Sequence, residues 1–295
     1  MMDVSFPLIN VLPARARLGE GTVWDATNQL LYWVDIYNHR VHQFEPATGT
    51  DVVFEVGHEV GCLGLEGRDR LILGLRDHLA WLDIQTGGVT PIRPVEADNP
   101  KTRLNDGKCD PGGRFWVGSM SEEEQPEANL YRYDPDGSLH VMETGLTISN
   151  GLGWSPDQTV FYLTDTPRQT IYAYDYDVTT GDIQNRRVCI DLSHESFFPD
   201  GLAIDAQGYI WSAMWNGWCV IRFDPEGQEV MRVAMPVPCP TCCTFGGSDL
   251  TDLYITTASV GLSQAEIQKG FYSGDLFCLK TDVVGLPANS LRVSS

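Results

Sequence analysis

Apolar and polar residues alternate over many short stretches of this 295-residue chain. The alternation is clear in "NLYRYD" at 129–134 and in "TIYAYDY" at 170–176. A period of two is typical of β-strands with one buried face, because successive side chains point to opposite sides of a sheet. One piece, "LSQAEIQKG" at 262–270, is compatible with a turn or two of helix within a loop. The pattern predicts an all-β protein.

Apolar runs recur six times, at intervals of 40 to 49 residues, and five of the six contain aromatic residues. The runs are "LYWVD" from Leu31, "LILGL" from Leu71, "FWVGS" from Phe115, "FYLTD" from Phe161, "IWSAM" from Ile210 and "LYITT" from Leu253. Each is followed by a second strand-like run and then by a turn sequence. The turns are "EPATG" from Glu45, "DIQTGG" from Asp83, "DPDG" from Asp134, "DVTTG" from Asp177, "DPEG" from Asp224 and, more loosely, "DVVG" from Asp282. Proline and glycine supply the backbone angles of hairpin turns there.

An interval of this length, with several short strands in each repeat, is typical of a propeller blade. The sequence therefore predicts a six-bladed β-propeller, formed by a single domain over residues 1–295. We expect the two chain ends to meet and close the ring.

A polar residue directly precedes glycine in four similar motifs. These motifs are "LGEGTVWD" with Glu20, "RLNDGKCD" with Asp106, "SNGLGWS" with Asn150 and "PDGLAID" with Asp200. Each is followed four or five positions later by another polar residue. The first strand of each blade lines the central channel, so a shared register carries the four side chains to one end of that channel. One such motif is typical of a turn, whereas four in similar register predict a functional site.

Carboxylates that converge in a small space repel one another unless a cation lies among them. Carboxylate and amide oxygens suit Ca²⁺, Mg²⁺ or Mn²⁺, whereas a dedicated zinc site usually recruits Cys or His. His39 and His42 lie three residues apart, which on a strand places them on opposite faces. The sequence predicts a site for one divalent cation, with Ca²⁺ first and Mg²⁺, Mn²⁺ or Zn²⁺ as alternatives.

Forty Asp and Glu against twenty Lys and Arg give a formal charge of −20. This charge disfavours nucleic acid and anionic membrane surfaces as partners. The sequence shows no basic leader followed by an apolar core and no stretch approaching about 18 apolar residues. We expect a cytoplasmic protein that acts on a small molecule, as a monomer or a weak homo-oligomer.

The eight cysteines are expected to be reduced and mostly buried, because the chain shows no signal peptide. Cys239, Cys242 and Cys243 form a local cluster with one C-x-x-C spacing. It has no second such pair and no histidine close by, so structural thiols are favoured over a zinc knuckle or a redox pair.

Six segments resemble a known family. They are "LGEG" at 18–21, "RLNDGKCDPGGRFWVGSM" at 103–120, "ISNGLGWS" at 148–155, "FYLTD" at 161–165, "PDGLAID" at 199–205 and "CCTFGG" at 242–247. In order and spacing they are similar to the gluconolactonases, regucalcin (senescence marker protein) and luciferin-regenerating enzyme, over nearly the whole chain. The resemblance implies a six-bladed propeller with one catalytic divalent cation that hydrolyses sugar lactones.

The resemblance also implies roles for individual residues. It implies metal ligation by Glu20, Asn150 and Asp200. It implies substrate binding by Arg103, Asn105 and Glu123, the last chosen among the three glutamates of "MSEEE" by its spacing from the methionine.

Asp106 has two interpretations. The repeat alignment places it with the ligands, although its following polar residue is one position out of step, whereas the resemblance gives a role to its neighbour Asn105. We expect Asp106 to orient Asn105 or a bound water without binding the metal directly.

Hydrolysis of a lactone needs a polarised carbonyl, an activated water and a group that holds the charge on the carbonyl oxygen. A divalent cation can supply the first two, and a neighbouring carboxylate can accept the proton of the water. Asp200 is the candidate for that catalytic base as well as a ligand. Arg103 is the candidate donor to the oxyanion or to sugar hydroxyls, and Asn105 and Glu123 would hydrogen-bond hydroxyls.

Two alternative functions stay open. The sequence contains no G-x-S-x-G nucleophile motif and no G-x-x-x-x-G-K-[ST] phosphate loop. The first alternative is a non-catalytic propeller, either a calcium-binding regulatory protein or an interaction platform. The second is promiscuous hydrolysis of phosphotriesters by the same metal site. Metal-dependent turnover of a sugar lactone would separate these functions.

Overall fold

The computed structural model describes residues 6–293, which form a six-bladed β-propeller. Five blades are four-stranded antiparallel sheets, and the second blade gains a fifth strand. The inner strands of neighbouring blades pack side by side around a closed ring, from the first blade through the sixth and back to the first. The predicted fold is confirmed.

The strands of the first three blades run in order from the channel outward. Blade 1 contains β2 (Gly19–Asp25), β3 (Leu30–Asp35), β4 (Arg40–Glu45) and β5 (Thr50–Glu55); blade 2 contains β6 (Val60–Glu66), β7 (Arg70–Leu75), β8 (His78–Asp83) and β9 (Val89–Pro94); blade 3 contains β10 (Thr102–Cys109), β11 (Phe115–Ser121), β12 (Ala128–Tyr133) and β13 (Leu139–Leu146).

The other three blades follow the same order. Blade 4 contains β14 (Ser149–Trp154), β15 (Val160–Asp165), β16 (Thr170–Tyr176) and β17 (Ile183–Asp191); blade 5 contains β18 (Phe198–Ile204), β19 (Ile210–Trp215), β20 (Cys219–Phe223) and β21 (Glu229–Ala234); blade 6 contains β22 (Pro240–Gly246), β23 (Asp252–Thr257), β24 (Leu276–Lys280) and β1 (Leu8–Leu12).

The six apolar runs form the second strand of each blade, which lies between the channel-lining strand and the outer half of the sheet. The first five predicted turns join the third and fourth strands of their blades. The sixth, "DVVG", is not a hairpin turn, so that prediction is wrong. The outer edge of β24 is already paired with β1, so the chain leaves the sheet after β24.

The N-terminal strand β1 pairs with β24, so the two ends of the chain build the last blade together. The segment after β24 then crosses to other blades. Gly285 bridges to Asp205 of blade 5, and the Asn289 side chain donates to the carbonyl of Cys109 in blade 3 at 3.3 Å. The short strand β25 (Ser290–Leu291) pairs in parallel with β6. The predicted ring closure is confirmed, and a C-terminal strap reinforces it.

The helix-compatible piece forms helix α1 (Gln264–Lys269) in the loop between β23 and β24. Ser263 and Glu266 form a reciprocal capping box at its start, which satisfies two otherwise unpaired backbone N–H groups. Single 3₁₀ turns at Ile36–Asn38 and Thr166–Arg168 follow β3 and β15. Within residues 6–293, no helix is long and apolar enough to cross a membrane.

The core lies between adjacent blades and is rich in aromatic side chains. Trp116 of blade 3, for example, packs against Trp154 and Phe161 of blade 4, with ring centroids 5.9 Å and 5.0 Å away. Such large rings bury much apolar area and so bind neighbouring blades together. All eight cysteines are free thiols, and all except the half-buried Cys189 are buried, as predicted.

Candidate functional site

Each of the six inner strands has an irregular register at the same level of the ring. The pairing shifts between Glu20 and Val23 in β2, between Leu104 and Gly107 in β10 and between Pro199 and Leu202 in β18. Strands β6, β14 and β22 show the same shift. A bulge bends its strand and re-aims the side chains beside it. The polar residues before glycine therefore lie at strand bulges that face the channel.

Two tryptophans fix the equivalence of blades 3 and 5. The indole N–H of Trp116 donates to Asp110 at 2.9 Å, and that of Trp211 donates to Asp205 at 3.0 Å. Both aspartates precede their tryptophan by six residues, so they occupy equivalent positions. Counting back five residues from each gives Asn105 and Asp200.

The residue of blade 3 that is equivalent to Asp200 is therefore Asn105. The alignment of the four motifs in the sequence, which placed Asp106 at this position, is wrong by one residue. The six equivalent positions are Glu20, Gly61, Asn105, Asn150, Asp200 and Thr241. The residues three positions further along each of the six strands all line one cavity of ≈ 210 Å³ in the channel. Three residues of a strand span roughly 10 Å. Equivalent residues of the six strands therefore still lie at a common level at this distance along the channel.

Blade 2 contributes a glycine at this level because the neighbouring bulge fills its space. A Cβ on Gly61 would lie 2.4 Å from the carbonyl oxygen of Asn105 and 2.7 Å from that of Leu104. These are backbone atoms, which cannot move aside cheaply. The glycine lets the Asn105 bulge approach blade 2.

The channel opens at this level into a cavity of ≈ 340 Å³. Its wall is formed by Leu18, Glu20, Tyr37, Arg103, Asn105, Met120, Glu124, Ile148, Asn150, Thr166, Pro167, Phe198, Asp200, Trp215 and Val260. The structure thus brings together five of the six site residues predicted from the sequence. A cavity of this size suits a small-molecule ligand.

Glu20, Asp106 and Asp200 are buried close together, with exposed fractions of 7%, 4% and 4%. Burial raises the pKa of Glu20 well above its usual range, and the charges of Asp200 and Asp106 raise it further. Burial and the charge of Asp106 likewise raise the pKa of Asp200. Within residues 6–293, none of the three forms an ion pair with Lys, Arg or His. The cluster therefore favours binding of a cation.

The residues present fit a hard divalent cation. The Asp200 Oδ1 atom is buried and accepts no hydrogen bond from the described part of the chain, so it has an unused lone pair. Among the described residues, Glu20 Oε2 accepts only from the N–H of Gly21, at 3.2 Å. Residues 6–293 contain no group of three or more His, Cys, Asp or Glu that could hold a metal. Two carboxylates and the amide oxygen of Asn150 instead form an all-oxygen set, which suits Ca²⁺, Mg²⁺ or Mn²⁺.

A chain of hydrogen bonds joins the predicted substrate residues to the predicted ligands. Arg103 Nη1 donates to Asn105 Oδ1 at 2.9 Å, and Asn105 Nδ2 donates to Asn150 Oδ1 at 3.1 Å. Asn150 Nδ2 then donates to Thr166 Oγ1 at 3.0 Å, and Thr166 Oγ1 donates to the Pro199 carbonyl at 2.8 Å. With its nitrogen held by Thr166, Asn150 has only its oxygen left to offer to a cation.

Asp106 lies beside this chain and does not line the cavity. Its Oδ1 atom accepts the N–H of Gly107 at 2.8 Å. Burial raises the pKa of Asp106, while Lys108 and the N–H groups of Gly107 and Gly151 oppose that rise. Asp106 therefore acts on the site through its charge.

The structure places Glu123 outside the cavity that the other five predicted site residues line, so its role in binding substrate stays a prediction without support from this geometry. Its side chain is 54% exposed and forms an ion pair with Lys101 at 2.9 Å. Glu124 lines the cavity instead. Spacing from Met120 could not distinguish them, because both follow the end of β11 in a loop without strand periodicity.

Sequence reasoning missed most of the cavity wall. Tyr37, Glu124, Thr166 and Val260 lie in loops between the second and third strands of their blades, and Trp215 is the last residue of such a second strand. A signal for these residues was their position within a few residues after the apolar runs of blades 1, 3, 4, 5 and 6.

These features define a class: six-bladed propellers whose channel mouth combines buried carboxylates, an amide and an arginine around a small-molecule-sized cavity. Residues 18–259 match the family described as the SMP-30/Gluconolactonase/LRE-like region. The chain belongs to this family.

The curated relatives and solved structures agree with this membership. The chain is similar to pentonolactonase XacC of Haloferax volcanii, with 36% identity over 94% of this chain and 95% of the relative. It is also similar to regucalcin of Gallus gallus, with 36% identity over 92% and 94% of the two chains. The crystal structure of a calcium-binding protein, regucalcin, from Agrobacterium tumefaciens matches with a TM-score of 0.94 and 28% identity over 98% of both chains.

Proposed function

We propose that the chain is a hydrolase that opens sugar lactones, with one divalent cation held by Glu20, Asn150 and Asp200. The observation that carries the proposal is the group of buried carboxylates without an ion-pair partner in residues 6–293, one of them with an unused oxygen, beside a buried arginine in a cavity. Family membership and a relative named pentonolactonase support the choice of lactones. The Agrobacterium relative is described as calcium-binding, which supports Ca²⁺ as the cation.

A bound divalent cation supplies Lewis acidity for the lactone carbonyl and for a water. Asp200 accepts the proton of the attacking water through the carboxylate oxygen that is not bound to the cation, and it returns that proton to the leaving ring oxygen. The water oxygen bonds to the carbonyl carbon, the bond from that carbon to the ring oxygen breaks, and the ring oxygen leaves with a proton as a hydroxyl. The product is the open-chain aldonic acid.

Arg103 is the donor that faces the substrate. It is 3% exposed, and its Nη1 atom donates to the Leu104 carbonyl and to Asn105. Its buried Nε has no acceptor within residues 6–293. A buried donor without an acceptor is costly, so a lactone oxygen that accepts from Arg103 would bind favourably.

The remaining wall suits a sugar, because it combines hydroxyl-binding groups with aromatic faces. Glu124 and the second lone pair of Asn105 Oδ1 can accept hydrogen bonds from sugar hydroxyls. Trp215 and Phe198 offer apolar surface to the C–H faces of the ring. The single domain, the cytoplasmic location and the monomeric or weakly homo-oligomeric state inferred from the sequence stay predictions.

The test is hydrolysis of five- and six-membered sugar lactones, followed by pH-stat, with chelated and metal-reloaded protein. We expect chelation to abolish turnover and Ca²⁺, Mn²⁺ or Mg²⁺ to restore it to different extents. Turnover that survives with metal content measured as zero would refute the metal-dependent mechanism. Metal binding without turnover of any lactone would instead favour a non-catalytic calcium-binding propeller.

A further inference from the structure

Two arginines lie close to one aromatic ring at the mouth of the cavity. The Arg17 Cζ atom lies 5.4 Å from the centroid of the Tyr37 ring, and the Arg103 Cζ atom lies 5.8 Å from it. Both distances are within the range of cation–π attraction. We call Arg17, Tyr37 and Arg103 the rim cluster. Tyr37 and Arg103 line the cavity, so the rim cluster borders the candidate substrate site.

Neither guanidinium of the rim cluster has a carboxylate within ion-pair distance in the described part of the chain, although the charge of Arg103 lowers the pKa of Glu20. Within residues 6–293, Arg17 and Arg103 form no ion pair, although the chain has twice as many acidic as basic residues. Arg103 is buried with its Nε unpartnered there, and Arg17 is exposed. The mouth therefore carries two guanidinium groups without ion-pair partners in the described residues, in a chain of net charge −20.

The backbone of Arg17 is fixed even though its side chain is exposed. Its N–H donates to the Asp35 carboxylate at 3.1 Å. Its carbonyl accepts the N–H groups of Ser259 and Val260 at 3.1 Å and 2.9 Å, and Val260 itself lines the cavity. The backbone of Arg17 is thus fixed between blades 6 and 1. From this position the guanidinium can reach a ligand at the mouth of the cavity.

We propose that the rim cluster recognises an anionic substituent, such as a carboxylate, sulfonate or phosphate, on the lactone substrate. The inference rests on the proposed function and specifies its substrate class. The carboxylates at the metal site would repel such a group, so it must lie away from the reacting carbonyl, at the rim. Arg17 and Tyr37 lie in blade 1 and its entry, and Arg103 of blade 3 approaches the same ring, so the positive part of the mouth is the part around Tyr37. Arg17 is then a specificity-determining residue.

The test compares lactone pairs that differ in one charged group. The pairs are D-glucono-1,5-lactone with its 6-phosphate, and D-glucono-1,4-lactone with D-glucaro-1,4-lactone, which carries a free carboxylate. The proteins are the unmodified chain, Arg17→Gln and the control Arg68→Gln. Arg68 is an exposed residue in the turn between β6 and β7, so its substitution changes the net charge equally at a distance from the mouth.

For the anionic lactones we expect Arg17→Gln to lower kcat/KM by about 10-fold, mainly through KM, because one charge-assisted contact is lost. We expect the neutral lactones to be unaffected and Arg68→Gln to change neither. High salt should reduce the preference of the unmodified chain for anionic lactones, because exposed charges are screened. An Arg17→Gln protein with equal effects on neutral and anionic lactones, or with no effect, would overturn the inference and leave the lactonase proposal intact.

A binding measurement separates failure of this inference from failure of the proposed function. If no lactone of either type is hydrolysed after metal reloading, the lactonase proposal fails. Calorimetry with gluconate and 6-phosphogluconate then tests the rim cluster without turnover. Tighter binding of 6-phosphogluconate that is lost in Arg17→Gln supports the rim cluster, and equal binding by both proteins refutes it.

Discussion

The amide nitrogen of Asn105 donates a hydrogen bond to the amide oxygen of Asn150 at 3.1 Å, across the boundary between blades 3 and 4. This bond joins a residue expected to bind substrate to a residue expected to bind the cation. The two roles are therefore coupled through one contact, and substitutions on either side should affect both to different degrees.

Asn105→Ala should weaken substrate binding more than metal binding. The substitution removes the partner of Arg103 as well as one hydrogen bond to Asn150. A single hydrogen bond contributes about 0.5–1.5 kcal/mol, so we expect metal affinity to fall by less than about 10-fold while KM for a lactone rises further. Calorimetric metal titration beside steady-state kinetics measures both, and a protein that no longer binds metal would show that Asn105 is a ligand.

Asp200→Asn should separate the two functions of Asp200. The amide still offers an oxygen to a cation but cannot accept a proton at neutral pH. We expect metal binding that is weakened yet measurable, and turnover lowered by roughly two to four orders of magnitude, which is typical for loss of a positioned base. Near-normal turnover at full metal occupancy would assign the proton transfer to another group, with Glu20 the first candidate.

Thr166→Val should weaken metal binding without touching a ligand. Asn150 Nδ2 would lose its acceptor, so the amide would no longer be held with its oxygen toward the cavity. Groups that orient ligands typically contribute 10–100-fold to metal affinity, and we expect a loss of about 10-fold. Calorimetric metal titration measures it.

Thr164→Val is the matched control for that substitution. The Thr164 hydroxyl lies in the same blade, buried and without a hydrogen-bond partner in the described residues. Removing an unsatisfied hydroxyl should leave metal affinity unchanged. Equal losses in both valine variants would mean that packing, and not the Asn150 contact, sets the affinity.

Glu124→Gln should raise KM for a lactone, whereas Glu123→Gln should have little effect. The first carboxylate lines the cavity, and the second pairs with Lys101 on the surface. Loss of a hydrogen bond to a charged acceptor costs about 1.5–3 kcal/mol, so we expect KM to rise by about 10-fold or more. Steady-state kinetics of both variants on one lactone decides between the two glutamates. A larger rise in KM for Glu123→Gln than for Glu124→Gln would show that Glu123 binds substrate, as its spacing from Met120 predicted.

Gly61→Ala should destabilise the protein and distort the site. The added methyl group would meet two backbone oxygens, of Asn105 and Leu104, and overpacking of this kind typically costs about 1–3 kcal/mol. Gly88→Ala, in the same blade, meets only the flexible Thr86 hydroxyl at 3.2 Å and serves as control. Denaturant unfolding gives the free energy of unfolding of both variants. Equal values would show that blade 2 can shift away from the bulge at Asn105 without loss of stability.

The sequence by itself determined the fold and most of the site. Period-two alternation shows which residues share a face of a strand, and the apolar runs repeat once per blade. The strands and the number of blades can therefore be read from local patterns along the chain. Glu20, Asn150 and Asp200 were found because each precedes a glycine at a strand bulge. Arg103 and Asn105 were found by resemblance, and both line the cavity.

Only the tertiary structure decided which of two successive residues faces the channel. Asn105 and Asp106 are adjacent in one bulge, and Glu123 and Glu124 are adjacent in one loop. A shift of one residue reverses the direction of a side chain, and this shift depends on how closely a neighbouring blade approaches, as Gly61 does to Asn105. The rim cluster joins Arg17 and Tyr37 to Arg103, some 66 to 86 positions away. Contacts of this kind arise from ring closure, and no local pattern in the sequence encodes them.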